Sequence, residues 1–234
     1  MDPHLLLRTG QFTLTVLAGL LSACSSTQPL QSPHSPKAYC TMNEVTNDES
    51  RPPATSPITL EELGLLQESL LWSEDDAQAL RQSHDILKPQ TEDILDVWYG
   101  FVASTPQLVK YFSNAKTGQP DGNYLAAVRV RFGQWISDTA KADYNQEWLN
   151  YQYEIGLRHH SIGKNKTDGV DSVPIIHLRY IPALAYPITA TLKPFLAKGG
   201  ASQADVERMH QAWIKSVLLQ SILWSQPYVK AGEF

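Results

Sequence analysis

The histidines, cysteines and carboxylates of this 234-residue chain are mostly scattered, and one short stretch arranges them usefully. In "WLNYQYEIGLRHH", residues 148–160, steps of three or four residues join Trp148, Tyr151 or Gln152, Ile155 and His159. At about 3.6 residues per turn that row occupies one face of a helix, and the next residue, His160, points about 100° away. One imidazole of the adjacent pair therefore continues the inward stripe and the other leaves it. A core-facing histidine has two roles open to it. It can be a buried side chain hydrogen-bonded to a carbonyl. It can also be a ligand, because a neutral imidazole facing a large apolar pocket in a helical domain can hold haem iron. Spacing alone does not choose between them.

Other chemistry has no pattern to stand on. The chain contains no G-x-S-x-G elbow, no H-E-x-x-H and no Cys/His spacing suited to zinc, and "GKNKTDG" lacks the order and context of a phosphate-binding loop. This argues against hydrolytic and nucleotide chemistry. Asp75 and Asp76 open a helix, where carboxylates complement the dipole, so they read as structural. His177, near the start of a long apolar segment, and His210, beside Met209, have no second ligand in register and read the same way.

The elements that must position His159 are helical. "SPITLEELGLLQESLLW" carries Thr59 three residues before Glu62, a capping box, with Leu63, Leu66 and Leu70 behind it. Ser73 and Asp76 repeat the signal, and "TEDILDVWYGFV" aligns Leu95, Trp98 and Val102 before "STP" ends the run. After "TGQPDGN", a stripe of Leu125, Val128, Phe132, Trp135 and Thr139 leaves the arginines pointing elsewhere. "VPIIHLRYIPALAYPITATLKPFLAK" holds Pro182 and Pro187 and is one kinked helix or two pieces, and Ser202 with Asp205 caps the final helix. Loops fall near 117–123 and 162–172. With no run of period-two alternation bounded by hairpin turns, the expected class is all-α with about eight helices.

Composition bounds the rest. A net charge of −5 without a basic stripe excludes a nucleic-acid partner. The two cysteines, Cys24 and Cys40, lie ahead of the helical part, which therefore folds without a disulfide. "FTLTVLAGLLSAC" is too short an apolar run to span a bilayer and has the layout of a secretory h-region. Leu21-Ser22-Ala23-Cys24 resembles a bacterial lipobox, implying a lipoprotein signal peptide over 1–24, lipidation at Cys24 and a Ser/Pro-rich tether over 25–55. The expected location is membrane-anchored, facing the periplasm or cell exterior. A start at Met42 would instead give a cytoplasmic protein.

Six segments, "ILDVWYGFV", "YLAAVRVRF", "YQYEIGLRHH", "SVP", "YPITATLKPFLA" and "LWSQPYVKAGEF", resemble in order and spacing those of the protoglobins. These are single-domain haem proteins related to the sensor domains of globin-coupled sensors. The resemblance spans residue 56 to the C-terminus and implies a globin fold with an additional N-terminal helix, over 56–234, holding haem b. It implies that His159 is the proximal iron ligand, that Trp98 and Tyr99 lie on the distal side, with Tyr99 able to hydrogen-bond bound O₂, and that Val128 and Phe132 shape the pocket. By the same resemblance Arg131 lies near a haem propionate, although a solvated face is as good a reading of that residue. Leu184 stands where the family often has phenylalanine, with Ile188 one turn on, so the pocket is expected to be enlarged there. His160 is expected outside the haem contact.

The function this implies is reversible binding of O₂, CO or NO for sensing, storage or scavenging, by a homodimer joined through the last long helices. With no transmitter domain in the sequence, any signalling would run through a separate partner. Two other classes stay open: a haem enzyme acting on NO, nitrite or peroxide, and a haem-free helical lipoprotein that serves as an adaptor.

Overall fold

The computed structural model describes residues 54–234. The proposed signal peptide, Cys24, Met42 and almost all of the tether lie outside the described residues. Within them the chain forms eight α-helices, α4 being a single turn: α1 Leu60–Ser69, α2 Glu74–Leu87, α3 Thr91–Ala103, α4 Pro106–Val109, α5 Gly122–Lys141, α6 Gln146–His159, α7 Tyr180–Ala197 and α8 Gln203–Ser225. Their starts obey the capping logic. Thr59 Oγ1 accepts from the Glu62 amide while Glu62 Oε2 accepts from the Thr59 amide at 2.8 Å. Asp76 accepts from the Ser73 amide at 2.8 Å and also pairs with Lys215, tying α2 to α8. Asp121, Asn145 and Ser202 cap α5, α6 and α8.

The long apolar segment is one helix, not two, with Pro187 and Pro194 inside it. Pro182 lies in the first turn, where the missing N–H is an orphan anyway. Thr189 and Thr191 hydroxyls donate to the Ala185 and Pro187 carbonyls of the same stretch, at 3.0 and 2.8 Å. The helix begins later than hydropathy alone places it. Residues 173–179 are not helical, and the Ile176 amide donates to His159 O at 2.9 Å, pinning the approach to α7 against the end of α6. His177 consequently precedes the helix.

The α7–α8 pair forms the centre of the core. Met209, Ala212, Trp213 and Val217 of α8 are almost completely buried, in one cluster with Leu192 and Leu196 of α7. Trp135 of α5 meets Trp213 and Trp224 with centroids 6.2 and 5.9 Å apart. Each of these buried indoles also has an acceptor: Gln220 Oε1 for Trp135, Ser83 Oγ for Trp213 and Gln152 Oε1 for Trp224. That pairing is what permits tryptophan at such depth. A second cluster, with Ile58, Leu63, Trp148, Leu149, Leu219 and Leu223, fastens α1 onto α6 and α8.

The two expected loops are knitted together. Isolated bridges join Ser113 to Pro120 and Asn114 to Ser172, and the Ala115 amide donates to Asp171 O at 2.7 Å. Among the described residues no helix is long and apolar enough to cross a membrane.

Candidate functional site

Between α3, α5, α6, α7 and α8 the helices leave a cavity of about 210 Å³. Protein interiors ordinarily leave only voids near the size of a water molecule, so this one is large enough to admit a ligand. Its walls are mostly aromatic and aliphatic: Trp98, Val102 and Leu108 from α3 and α4, Val128, Phe132 and Trp135 from α5, Ile155 from α6, Ile181, Leu184, Ala185 and Ile188 from α7, and Val217 and Trp224 from α8.

His159 lines this cavity from the last turn of α6. Its Nδ1 lies 2.7 Å from the Ile155 carbonyl. A carbonyl only accepts, so Nδ1 carries the proton and donates, and Nε2 is the nitrogen with the free lone pair. The ring stacks on the Trp224 indole, with centroids 5.5 Å apart and planes 12° apart, and Trp224 is itself held by Gln152 at 2.8 Å. Burial pushes the His159 pKa down, outweighing the upward effect of the Ile155 hydrogen bond. The imidazole is therefore neutral at physiological pH. His160, the C-cap of α6, turns away and meets the edge of Tyr228 with centroids 4.9 Å apart.

One end of the cavity is polar. Arg131 holds Asp168 through two parallel bonds, Nη1 to Oδ1 at 2.9 Å and Nη2 to Oδ2 at 2.7 Å. Arg158 pairs with Glu154 at 3.2 Å, and Lys164 is buried beside them. Tyr124 and Tyr151 also line the cavity, their phenols pushed up to about 12, chiefly by burial. Those hydroxyls remain protonated and can donate. Tyr111 lines the cavity as well, with its hydroxyl 2.7 Å from His177 Nδ1.

Seven of the eight candidate residues meet here: His159, Trp98, Val128, Arg131, Phe132, Leu184 and Ile188. Tyr99 does not line the cavity. Trp98 points inward, so Tyr99 is rotated about 100° along the helix. Its ring packs against Phe112, with centroids 6.4 Å apart, and beneath the Arg129 guanidinium. The arginines of α5 also divide: Arg129 pairs with Glu92 and Asp96 of α3, whereas Arg131 faces Asp168 at the cavity. His210 Nε2 donates to Thr189 O at 3.1 Å, and His177 Nδ1 meets the Tyr111 hydroxyl.

Sequence reading missed several lining residues. Tyr124 is buried where Leu125 was expected, so the inward stripe of α5 begins one residue earlier. Helical periodicity contained that signal, since Tyr124, Val128 and Phe132 are spaced by four, as it did for Val217, Ser221 and Trp224 on α8. Lys164 and Asp168 lie in irregular chain, where no period points inward.

Among the described residues no cluster of three or more His, Cys, Asp or Glu side chains could hold a bare metal ion, which leaves a single imidazole facing an aromatic cavity with cations at one end. This donor set suits a planar, dianionic, iron-bearing group. No curated protein matches the chain. Among matching solved structures, the globin domain of the Geobacter sulfurreducens globin-coupled sensor shares 11% identity, with 71% of this chain and 97% of that one covered at a TM-score of 0.56. The helices therefore have the globin fold, and because the protoglobin family model matches residues 59–234, including every lining residue named above, the chain belongs to the protoglobin family of haem-binding globins.

Proposed function

We propose that His159 is the proximal ligand of a haem b iron and that the protein reversibly binds diatomic gases, O₂, CO or NO, in this cavity. The observation that carries the reading is the fixed tautomer: Nδ1–H is committed to Ile155 O and a neutral Nε2 is left to coordinate. When bound, haem iron supplies an open coordination position for a gas. The protein's own residues supply the rest. Trp98 and Phe132, edge to face with centroids 5.6 Å apart, form an aromatic wall of the space. Val128, Leu184 and Ile188 keep it apolar, so a neutral diatomic enters at little cost while water gains few hydrogen bonds. Arg131 is the side chain for a propionate, in competition with Asp168.

The direct test is reconstitution of the apo-protein with haemin. A Soret band and a ferrous–CO spectrum typical of a histidine-ligated globin are expected. His159→Ala should abolish the histidine signature, with free imidazole restoring it. No Soret band in the wild type would overturn the reading and favour a haem-free adaptor. An unchanged spectrum in His159→Ala would move the ligand elsewhere, with His160 the first residue to test.

Two further parts of the proposal stand on the sequence. Homodimerisation through α7 and α8 fits the exposure of Tyr186 and Leu218 on those helices and is checked by the mass in solution from light scattering, where a monomer mass would refute it. Lipid anchoring at Cys24 is checked by mass spectrometry of the native N-terminus, where a chain beginning at Met42 would refute it.

A further inference from the structure

Three cations line the cavity, Arg131, Arg158 and Lys164. Two already face a carboxylate, Arg131 through Asp168 and Arg158 through Glu154. Lys164 faces none among the described residues, although its side chain is the most deeply buried of the three, at 1% exposure for the residue. Its Nζ donates to Tyr111 O at 3.0 Å and to Ser172 Oγ at 3.2 Å, and lies 5.1 Å from the centre of the Tyr124 ring.

Lysine is almost never fully buried unless paired. An ammonium has three donors, and neutral oxygens occupy two of them here. Ser172 Oγ in turn donates to Tyr111 O at 2.9 Å, so the carbonyl is shared between two donors, and two neutral oxygens stabilise the charge less than a carboxylate does. Burial lowers the Lys164 pKa to about 8, with Asp168 opposing the shift, which leaves the side chain charged at neutral pH. Surroundings hold it firmly in place. Asn165 Nδ2 donates to Ser172 O at 2.6 Å, the Lys164 amide donates to His160 O at 3.0 Å, and the Asn114–Ser172 bridge fixes the facing loop. The fold thus holds at a ligand cavity a buried positive charge with no carboxylate in salt-bridge contact among the described residues, Asp168 acting on it only at longer range.

We infer that Lys164 is an anchor for a carboxylate of the bound ligand, its third N–H reaching an anionic oxygen that enters with that ligand. Under the haem reading, on which this rests, the carboxylate is one propionate, and Arg131 serves the other after exchanging it for Asp168. The loop carrying Lys164 and Asp168 is then part of the binding site and not only a connection between α6 and α7.

The test compares haemin with haemin dimethyl ester, in which both propionates are neutral, on the full apo-chain. Lys164→Met is expected to weaken haemin binding about ten- to hundredfold, the range for a hydrogen bond to a charged group, while changing the affinity for the ester less than about threefold. Lys164→Gln, which keeps a donor and loses the charge, should show the same selectivity and serves if the methionine variant fails to fold by circular dichroism. Equal weakening of both porphyrins, or no weakening of either, would overturn the assignment while leaving the haem reading intact. A wild type that binds neither porphyrin overturns both.

Discussion

The imidazole of His159 lies parallel to the indole of Trp224, 5.5 Å away between centroids, while its Nδ1–H is held by the carbonyl one turn earlier in its own helix. Two constraints from different elements thus fix one ring. The backbone bond sets the tautomer and the tilt, and α8 sets the plane. Trp224 cannot swing away, because its own N–H is fixed by Gln152 of α6. The ligand candidate, its neighbour and the neighbour's restraint form a closed loop between the two helices.

Trp224→Leu breaks that loop without touching the imidazole. It removes the stack and leaves the Gln152 oxygen without its donor, and outer-shell partners of a ligating histidine typically govern about ten- to a hundredfold in metal affinity. The expected outcome is haemin loss accelerated about tenfold, read by transfer to an excess of a second apo-globin, with the spectral type unchanged. An unaltered transfer rate would mean that the backbone bond alone positions His159.

Gly156→Ala approaches the same contact from the backbone. A Cβ at this position would meet Trp224 O at 3.0 Å, Trp224 Cα at 3.2 Å and Pro227 Cδ at 3.2 Å, so α6 and the end of α8 must separate slightly. Overpacking of this kind costs about 1–3 kcal/mol. A melting temperature lower by several degrees is expected, together with faster haemin loss, because Trp224 moves with its backbone. A variant as stable as the wild type would show that this end of α8 yields freely.

Much of this arrangement was legible in the residues and some of it was not, for a physical reason. The inward stripe of α6 identified His159, and the Thr59/Glu62 and Ser73/Asp76 pairs located two helix starts, because caps and stripes are written in short-range spacing. Tyr99 is less legible: neighbours such as Leu184 and Ala185 both line the cavity, so spacing alone does not say that Trp98 lines it while Tyr99 packs against Phe112 and Arg129. Lys164 and Asp168 had no periodic signal at all. Their positions depend on loop-to-loop contacts such as Asn114 with Ser172 and Lys116 with Asp171, which join residues more than fifty positions apart.

Acid should destabilise the apo-protein through its inward histidines. The pKa of His159 is lowered, first by burial, and that of His210 likewise. Near neutral pH both the folded and the unfolded chain carry these rings mostly neutral. Below about pH 6.5 the unfolded chain takes up protons that the folded chain refuses, so stability falls as pH falls and levels off only below the folded pKa. For His159 the slope is at most about 1.4 kcal/mol per pH unit, and the half-exposed His210 contributes less. Denaturant unfolding at pH 7.5 and 5.5 is expected to show this loss, reduced in His159→Asn. An equal loss in the variant would assign the acid sensitivity to other groups.

The Arg131–Asp168 pair should behave as a unit. Both side chains are largely buried, at 16% and 9% exposure, and the contact is bidentate, so removing one partner strands the other. Arg131→Met and Asp168→Asn are each expected to cost about 1–3 kcal/mol in the apo-protein. The double variant should cost clearly less than their sum, with a coupling of about 1 kcal/mol or more. Additivity within about 0.3 kcal/mol would mean that the two residues stabilise the fold independently.

Trp98 and Tyr99 are neighbours in sequence and should separate in function. Trp98 is buried, lines the cavity and meets Phe132 and Phe101 with centroids 5.6 and 5.4 Å apart. Tyr99 packs behind that wall, under Arg129. Trp98→Ala removes a large aromatic from the cavity and should speed CO association with the reconstituted ferrous protein about tenfold or more, at a stability cost of about 3–5 kcal/mol. Tyr99→Phe keeps the ring and removes only the hydroxyl, so O₂ dissociation should change by less than about twofold. A hydrogen bond to bound ligand is worth about 1 kcal/mol or more, which is at least a several-fold change in that rate. Flash photolysis and stopped-flow measurements on the two variants read these rates directly. A large acceleration of O₂ loss in Tyr99→Phe would mean that α3 rotates to bring this hydroxyl into the pocket when ligand binds, and Tyr124→Phe and Tyr151→Phe would then be expected to leave the rate unchanged.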